Sequence, residues 1–259
     1  MDLQIIPSGL LDLYKHHITA PALSHAFNKL KDAEISSDNF NFYNSLASVY
    51  SSKIEGETIE LDSYIKYKRF GVEFQPNYTC KIDDLYQAYQ FAMETELERD
   101  SLTKAHVLLT QHLLPVTDQG KFRSTSMYIT TKDDCIEYKA LPPIEMNKAM
   151  EKLYADIHLL LNSDLSIDEV FFFVSMIHLV FVKIHPWNDG NGRSARLLEK
   201  WFLAEKLGEK AWFVQSEKYY YEHHQAYYDN IRVLGMEYDV LDYSKGMGFL
   251  LMLPEGLIG

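Results

Sequence analysis

Hydrophobic residues recur at the spacing of one helix face in most segments of the chain. Apolar positions three and four residues apart form two clear stripes, which predict two amphipathic helices. The first stripe is Leu85, Ala88, Tyr89 and Ala92, and the second is Met150, Leu153, Tyr154, Ile157 and Leu161. Since the same periodicity dominates the rest of the chain, the pattern predicts an all-α fold.

One helix is predicted to be the central buried element. Ser166 and Glu169 have the spacing of a capping box, which opens a helix running to Ile184. This helix is apolar nearly all round, as expected for an element surrounded by others. Its end is set by Pro186, because proline disfavours a helical conformation at the preceding residue, His185. His178, inside the apolar helix, is expected to be a hydrogen-bonded core histidine.

The clearest departure from the helical pattern lies between residues 124 and 141. The runs 127–131 and 135–138 are rich in residues that favour strands, and Lys132-Asp133-Asp134 separates them. They predict one short β-hairpin. A second interruption, at Gly71, Pro76 and Asn77, marks a domain boundary. We therefore expect an N-terminal helical lobe at residues 1–75, a core at 76–235 and a C-terminal tail at 236–259.

Composition and charge narrow the classes of partner. The 259 residues carry a formal net charge of −12, which argues against nucleic acid, since neutralising phosphates needs a basic face. Cys80 and Cys135 are too far apart in sequence for a CxxC metal motif. The N-terminus lacks a secretory signal pattern, and the apolar run 170–182 is too short to span a bilayer. The sequence predicts a cytoplasmic protein with no membrane partner.

The segment after the central helix has the composition of a phosphate site. Glycines at 190 and 192 permit a backbone that turns several N–H groups towards one anion, and the next helix adds its positive end. Arg193 and Arg196, three residues apart, can reach the same side, and guanidinium groups suit phosphate oxygens. Asp189 offers a hard oxygen ligand for Mg²⁺. His185 has a side chain suited to general-base catalysis.

The segment from His185 to Arg196 resembles the signature of the Fic family, HPFx(D/E)GNGRxxR. Trp187 stands where phenylalanine is usual, a position expected to pack in the core. The resemblance extends over roughly residues 45–235 and is most specific at 178–196. It implies a Fic-like helical core that transfers AMP from ATP to a hydroxyl side chain of a protein.

The resemblance also implies a role for each matching residue. His185 would deprotonate the acceptor, and Asp189 would hold the metal ion. The remaining positions would bind the phosphates of ATP: Gly190, Asn191, Gly192, Arg193 and Arg196. Tyr228 is a candidate for the adenine side, although packing in the helical core is an equally good interpretation. Gly235 stands where some relatives carry an asparagine.

Residues 51–56, Ser51-Ser52-Lys53-Ile54-Glu55-Gly56, resemble the family's inhibitory motif (S/T)xxxE(G/N). The resemblance implies that Glu55 pairs with Arg196 and denies that arginine to the γ-phosphate, while Ser51 supports the contact. The ordinary alternative is a solvated carboxylate near a helix end. If inhibition holds, misplacing ATP by about 1 Å costs about 100-fold in rate.

The predicted hairpin resembles the family's flap, in which Met127, Tyr128 and Ile129 would dock an extended target segment by strand addition. The target protein is not named by the sequence, and self-modification is one option. The oligomeric state also stays open, with a homodimer among the alternatives. Two other functions remain at this point: removal of AMP from a modified protein by the same site, and non-enzymatic peptide binding through the hairpin.

Overall fold

The computed structural model describes residues 1–30, 37–72, 78–130 and 136–258. These residues form twelve α-helices and one two-stranded sheet, which confirms the all-α fold with a short hairpin. The helices are α1 (Leu11–His17), α2 (Ala20–Lys29), α3 (Ser37–Ile54), α4 (Leu61–Phe70), α5 (Cys80–Met93), α6 (Arg99–Leu109), α7 (Met146–Leu161), α8 (Ile167–Ile184), α9 (Asn191–Leu207), α10 (Ser216–Glu222), α11 (His224–Arg232) and α12 (Met247–Ile258). The strands are β1 (Tyr128–Thr130) and β2 (Ile136–Lys139).

Helix α8 is the central element, as its sequence predicts. The Ser166 side chain accepts from the backbone at Glu169, and the Glu169 carboxylate accepts from the Ser166 N–H, so the capping box is present. Helix α8 packs most extensively on α9 and also contacts α1, α2, α7 and α12. Helix α9 contacts α3, α5 and α6 on its other sides. The loop that joins α8 to α9 is therefore held between two well-packed helices.

The two amphipathic stripes lie on α5 and α7 and face the core. Leu85, Ala88, Tyr89 and Ala92 are buried on α5, as are Met150, Leu153 and Ile157 on α7. Tyr154 and Leu161 are partly buried against the same cluster. Within the described ranges, no helix combines the length and apolar composition that crossing a membrane requires.

The hairpin is antiparallel, with Tyr128 opposite Lys139 and Ile129 opposite Tyr138, and its register shifts between Ile129 and Thr130. The predicted turn at 132–134 lies outside the described residues. On its other side β2 meets the chain that follows α11: the Lys139 N–H donates to the Met236 carbonyl at 2.7 Å. The hairpin is thus fastened to the helical core at its β2 edge.

The first helices pack directly on the main core, where Tyr14 of α1 and Leu23 of α2 are fully buried. A small second cluster joins α3, α4 and α5, and its members are Val49, Ile59, Tyr64, Ile82 and Tyr86.

The segment 236–259 is not a tail in the structure. Its helix α12 buries Phe249, Leu250 and Leu253 completely and packs on α8, α10 and α2. Such a helix is apolar on more than one face, and an exposed tail with that composition would be unfavourable in water. The helical pattern is interrupted at Gly71, which adopts φ 64° and ends α4. Pro76 and Asn77 lie outside the described residues.

Candidate active site

His185 sits at the C-terminal end of α8 in a left-handed conformation, with φ 55° and ψ 61°. Among the described residues it is the only non-glycine residue with positive φ. That backbone costs roughly 1 kcal/mol or more for a residue with a Cβ, so surrounding contacts must hold it. The conformation turns the chain from α8 into the loop and directs the imidazole into a cavity, which it lines.

Arg123 supplies those contacts. Its guanidinium is buried, with 2% of the residue exposed, and donates to four backbone carbonyls. The acceptors are the oxygens of His185 at 2.7 Å, Thr125 at 2.9 Å, Ile184 at 3.3 Å and Leu141. Two of these carbonyls belong to the end of α8, where the helix dipole favours a cation. Arg123 therefore fixes the backbone of His185 and ties it to both flanks of the hairpin.

The His185 imidazole is neutral at physiological pH. Burial lowers the pKa of this side chain to about 4. Its Nδ1 lies 3.3 Å from the Val182 carbonyl oxygen, which assigns the ring proton to Nδ1 and leaves the lone pair on Nε2. A neutral imidazole with a free Nε2 is ready to accept a proton.

Trp187 occupies a closed place in the core, in agreement with the expectation for this position. Its ring is fully buried and stacks on His106 with centroids 4.2 Å apart. His106 accepts from the Gly120 N–H at Nδ1, and its Nε2 lies 3.0 Å from the Asp189 carbonyl oxygen. Burial lowers the pKa of His106 to about 4, so it acts as a neutral bridge. Trp187 and His106 therefore fix the loop at residues 185–190 from its core side.

Asn191 organises the loop through its side chain. The amide oxygen accepts from the Trp187 N–H at 2.9 Å, and the amide nitrogen donates to the Trp187 carbonyl at 2.9 Å. Gly190 turns the chain into α9 with φ 79°, and a Cβ there would come within 2.9 Å of Leu109. Helix α9 begins at Asn191, so its unpaired N-terminal N–H groups belong to the loop itself.

Arg196 is fully buried and makes four hydrogen bonds. Its Nε donates to the Ser51 hydroxyl at 2.8 Å, and its Nη2 donates to the Ser51 carbonyl at 3.0 Å. Nη2 also donates to the Glu55 carboxylate at 2.6 Å, and Nη1 donates to the Tyr227 hydroxyl at 3.3 Å. Ser51 and Glu55 thus occupy one edge of the guanidinium.

Glu55 approaches from the turn that follows α3. Gly56 has φ 94° at this turn, and 29% of the Glu55 side chain stays exposed. A Cβ placed on Gly192 would collide with the Glu55 carboxylate, so the glycine at this position gives the carboxylate room. Burial raises the pKa of Glu55 and the nearby Arg196 and Arg193 lower it, with a net downward shift. Glu55 is therefore ionised and paired.

Arg193 meets a second carboxylate of the same segment. Its Nη2 lies 3.8 Å from Glu57, whose carboxylate also accepts from Lys81 at 2.8 Å. Arg193 is 4% exposed, and its Nε has no hydrogen-bond partner among the described residues. A buried N–H donor without a partner is costly.

Behind Arg196 lies a fully buried polar chain. The Tyr227 hydroxyl is 2.9 Å from His178 Nε2, and His178 Nδ1 is 2.7 Å from the Glu199 carboxylate. Tyr220 donates to the same Glu199 oxygen at 2.8 Å. His178 is therefore a hydrogen-bonded core histidine, as expected from its place in α8. The chain connects the buried side of Arg196 to a carboxylate of the core.

An open cavity brings six of the predicted residues together. Glu55, His185, Gly192 and Arg196 line it, and so do Tyr228 of α11 and Ile129 of the hairpin. Arg193 and Asp189 are not among its lining residues. Tyr128 is exposed at 48% on the hairpin, and Met127 is half-buried beside it.

Asp189 is the carboxylate expected to hold a metal ion. It is exposed at the mouth of the loop, and one carboxylate oxygen accepts from the Gly190 N–H at 2.6 Å. Over the described ranges no cluster of three or more His, Cys, Asp or Glu side chains could hold a metal ion. A single carboxylate fits Mg²⁺, which usually binds through one or two carboxylates together with substrate phosphates and water.

Arg123 and His106 are site residues that sequence reasoning missed. The residue pattern gives no site role to Arg123, which precedes the predicted hairpin, or to His106. Both act on backbone atoms of the 185–190 loop, and their partners are more than 60 residues away in sequence. Neither residue belongs to a local motif, so spacing carries no signal for them.

Comparisons with known proteins agree with this geometry. The Fic/DOC family matches residues 96–203, a shorter range than the resemblance indicates. A protein named "Protein adenylyltransferase Fic" from Nematostella vectensis is 30% identical over 142 residues, which are 55% of this chain and 27% of that protein. The chain thus spans about a quarter of the length of this curated relative.

Solved structures show the same fold. A Fic family protein from Desulfovibrio desulfuricans superposes with a TM-score of 0.78 at 17% identity, over 100% of this chain and 74% of that one. A Fic domain containing signaling protein from Bacteroides thetaiotaomicron gives 0.71 at 16% identity, over 92% and 93%. With the family match at the loop and its flanking helices, the chain carries a Fic/DOC family domain at residues 96–203.

Proposed function

We propose that the protein is a protein adenylyltransferase, which moves AMP from ATP to a hydroxyl side chain of a target protein and is held inactive by Glu55. The observation that carries this proposal is the cavity in which a neutral His185 faces an arginine-bearing helix N-terminus. The adenylyltransferase name of the Nematostella vectensis relative supports the same chemistry.

The reaction follows from the positions of the side chains. His185 Nε2 takes the proton of the acceptor hydroxyl, whose oxygen attacks the α-phosphorus of ATP. The bond from that phosphorus to the oxygen bridging to the β-phosphate breaks, and pyrophosphate leaves. Arg196, Arg193 and the first N–H groups of α9 stabilise the phosphate charge, because cations and a helix N-terminus both favour anions.

Asp189 would hold a Mg²⁺ ion, which neutralises phosphate charge when it is bound. The other ligands of the ion would be phosphate oxygens and water. Asp189 itself keeps its orientation through the Gly190 N–H, and His106 holds its backbone carbonyl. The carboxylate is therefore directed by the loop, independently of the ion.

The proposed inhibition is a competition for Arg196. Glu55 accepts from Nη2 and Ser51 accepts from Nε and Nη2, so the edge that would face a phosphate is taken. Glu57 lies 3.8 Å from Arg193 Nη2, farther than a hydrogen bond reaches. An ATP molecule bound alongside this acidic segment would have its α-phosphate displaced from His185.

The decisive experiment is labelling by ATP that carries a tagged adenine. We expect Glu55→Gly to label itself or added proteins roughly 100-fold faster than the wild type. Intact mass should rise by one AMP per modified chain. Adding His185→Ala to Glu55→Gly should abolish the label, because the proton acceptor is lost.

Glu60→Gly is the matched control, since Glu60 is exposed and pairs with Lys53 at 3.1 Å. It should label like the wild type. Equal labelling by Glu55→Gly and wild type would reject the autoinhibition. Labelling that survives His185→Ala would reject the assigned base and favour non-enzymatic or contaminant labelling.

Removal of AMP is a second candidate, because Glu55 and His185 line the same cavity and could both act on a water molecule. Labelled Glu55→Gly protein, freed of nucleotide, is a suitable substrate for this test. Loss of label with wild-type protein, but not with fresh Glu55→Gly, would establish removal. A stable label in both cases would leave transfer as the function.

A further inference from the structure

Lys183 is a buried cation beside the cavity and plays no part in the proposed reaction. It lies on α8 two residues before His185, is 2% exposed, and lines the cavity with Tyr138 and Ile231. Arg196 lies on the side formed by α9 and the end of α3. Lys183 lies on the side formed by the hairpin and the segment after α11.

No carboxylate pairs with Lys183 in the described part of the chain. The ammonium lies 3.3 Å from the Gly235 carbonyl oxygen and 4.1 Å from the centroid of the Tyr138 ring. Burial lowers the pKa of this amine to about 8. Burying a charge without a partner is unfavourable, and an ammonium has three N–H donors to satisfy. The two contacts leave donor capacity for a ligand in the cavity.

The surroundings of Lys183 suit a flat heteroaromatic ring. Ile129 and Tyr138 approach from the hairpin, and Tyr228 and Ile231 approach from α11. These side chains offer apolar and aromatic surface, whereas the Arg196 side offers charge. A nucleotide with its phosphates at α9 would therefore place its base among them.

We propose that Lys183 is a base-recognition residue, which donates a hydrogen bond to a ring nitrogen of the adenine of ATP. Lys183 lines the cavity, so its remaining N–H donors can reach a ligand bound there. Adenine offers acceptors of the required kind in its ring nitrogens. This inference rests on the proposed function and adds a specificity residue to it.

The test separates the base from the phosphates. Calorimetry with Mg²⁺ would measure the Kd of ATP and of inorganic tripolyphosphate for Glu55→Gly and for Glu55→Gly with Lys183→Met. We expect Lys183→Met to weaken ATP binding by roughly 10- to 100-fold, the range of one charge-assisted hydrogen bond. Tripolyphosphate should bind both proteins equally, because it has no base.

Lys218→Met in the same background is the matched control: its ammonium pairs with Glu222 on α10, away from the cavity lining, and neither ligand should bind differently. Methionine replaces the buried cation with an apolar side chain of similar length, and a thermal melt checks that the fold is kept. Unchanged ATP affinity, or an equal loss for both ligands, would overturn the role of Lys183.

The two proposals fail in different ways. Labelling by Glu55→Gly with ATP affinity unaffected by Lys183→Met overturns only the base-recognition role. If Glu55→Gly binds neither ATP nor tripolyphosphate, the proposed function fails and the base-recognition role fails with it.

Discussion

Two of the ion pairs on helix α9 lie one turn apart and have the same length. Arg196 meets Glu55 at 2.6 Å, and Lys200 meets Glu217 at 2.6 Å. Glu217 is fully buried and also accepts from the Tyr89 hydroxyl at 2.6 Å, whereas 29% of the Glu55 side chain is exposed. The two pairs therefore have equal distances but differ in how far their carboxylates are exposed to solvent.

The difference lies in where each carboxylate comes from. Glu217 is the second residue of α10 and is closed in by the core, so water cannot replace it when the pair breaks. Glu55 comes from the turn after α3 and reaches Arg196 from solvent. Arg196 keeps Ser51 and Tyr227 as partners on other atoms. A pair fixed by burial supports the fold, and a pair with one exposed partner can exchange.

The largest effect is expected at the buried pair. Glu217→Gln should lower the free energy of unfolding by about 3 to 5 kcal/mol, because it leaves the Lys200 ammonium buried without a counter-charge. Urea denaturation followed by circular dichroism measures it. The double change Lys200→Met with Glu217→Leu should recover most of the loss. A cost under 1 kcal/mol for Glu217→Gln would erase the distinction between the two pairs.

An intermediate effect is expected behind Arg196. Tyr227→Phe removes the hydroxyl that joins Arg196 to His178, leaving the His178 Nε2 without its partner. The cost should be about 1 to 3 kcal/mol in the free energy of unfolding, as for other unsatisfied buried polar groups. The same denaturation measures it, with Tyr228→Phe as the control. A loss in Tyr227→Phe no larger than in Tyr228→Phe would show that the buried chain contributes nothing.

The smallest effect is expected at the exchangeable pair. Glu55→Gln should change the free energy of unfolding by less than about 1 kcal/mol, the usual range for pairs that water can reach. Lys53→Gln, which loses the exposed pair with Glu60, provides the comparison. A Glu55→Gln cost close to that of Glu217→Gln would mean that Glu55 is a fixed part of the fold rather than a releasable inhibitor.

Much of this site could be predicted because its parts are consecutive. The residues from 185 to 196 belong to one loop and one helix turn, so their spacing carries the chemistry. The capping box at Ser166 and the proline at 186 gave both ends of α8. Even the contact between Glu55 and Arg196, 141 residues apart, could be predicted, because each residue belongs to a local motif.

Other parts could not be predicted for a physical reason. Arg123 donates to backbone carbonyl oxygens. Because every residue has one, the identity of its partners cannot be inferred from the sequence. Lys183 looks like an ordinary helix lysine until its buried surroundings are known. Helix α12 has no polar face, so its sequence lacks the alternation of polar and apolar positions that identifies a helix. The contacts of α1 and α2 depend on packing between distant segments. These features belong to tertiary structure.

Arg123 has a consequence for how such a domain could change its targets. One side chain joins the His185 carbonyl to the residues on either side of the hairpin, at Thr125 and Leu141. The position of the base is therefore set at the root of the hairpin and not by the strands beyond it. Under the proposed function, with a target docked on the hairpin, substitutions along β1 and β2 would change which polypeptide binds without moving His185. Recognition and chemistry would then diversify separately, with Arg123 as the residue that must stay.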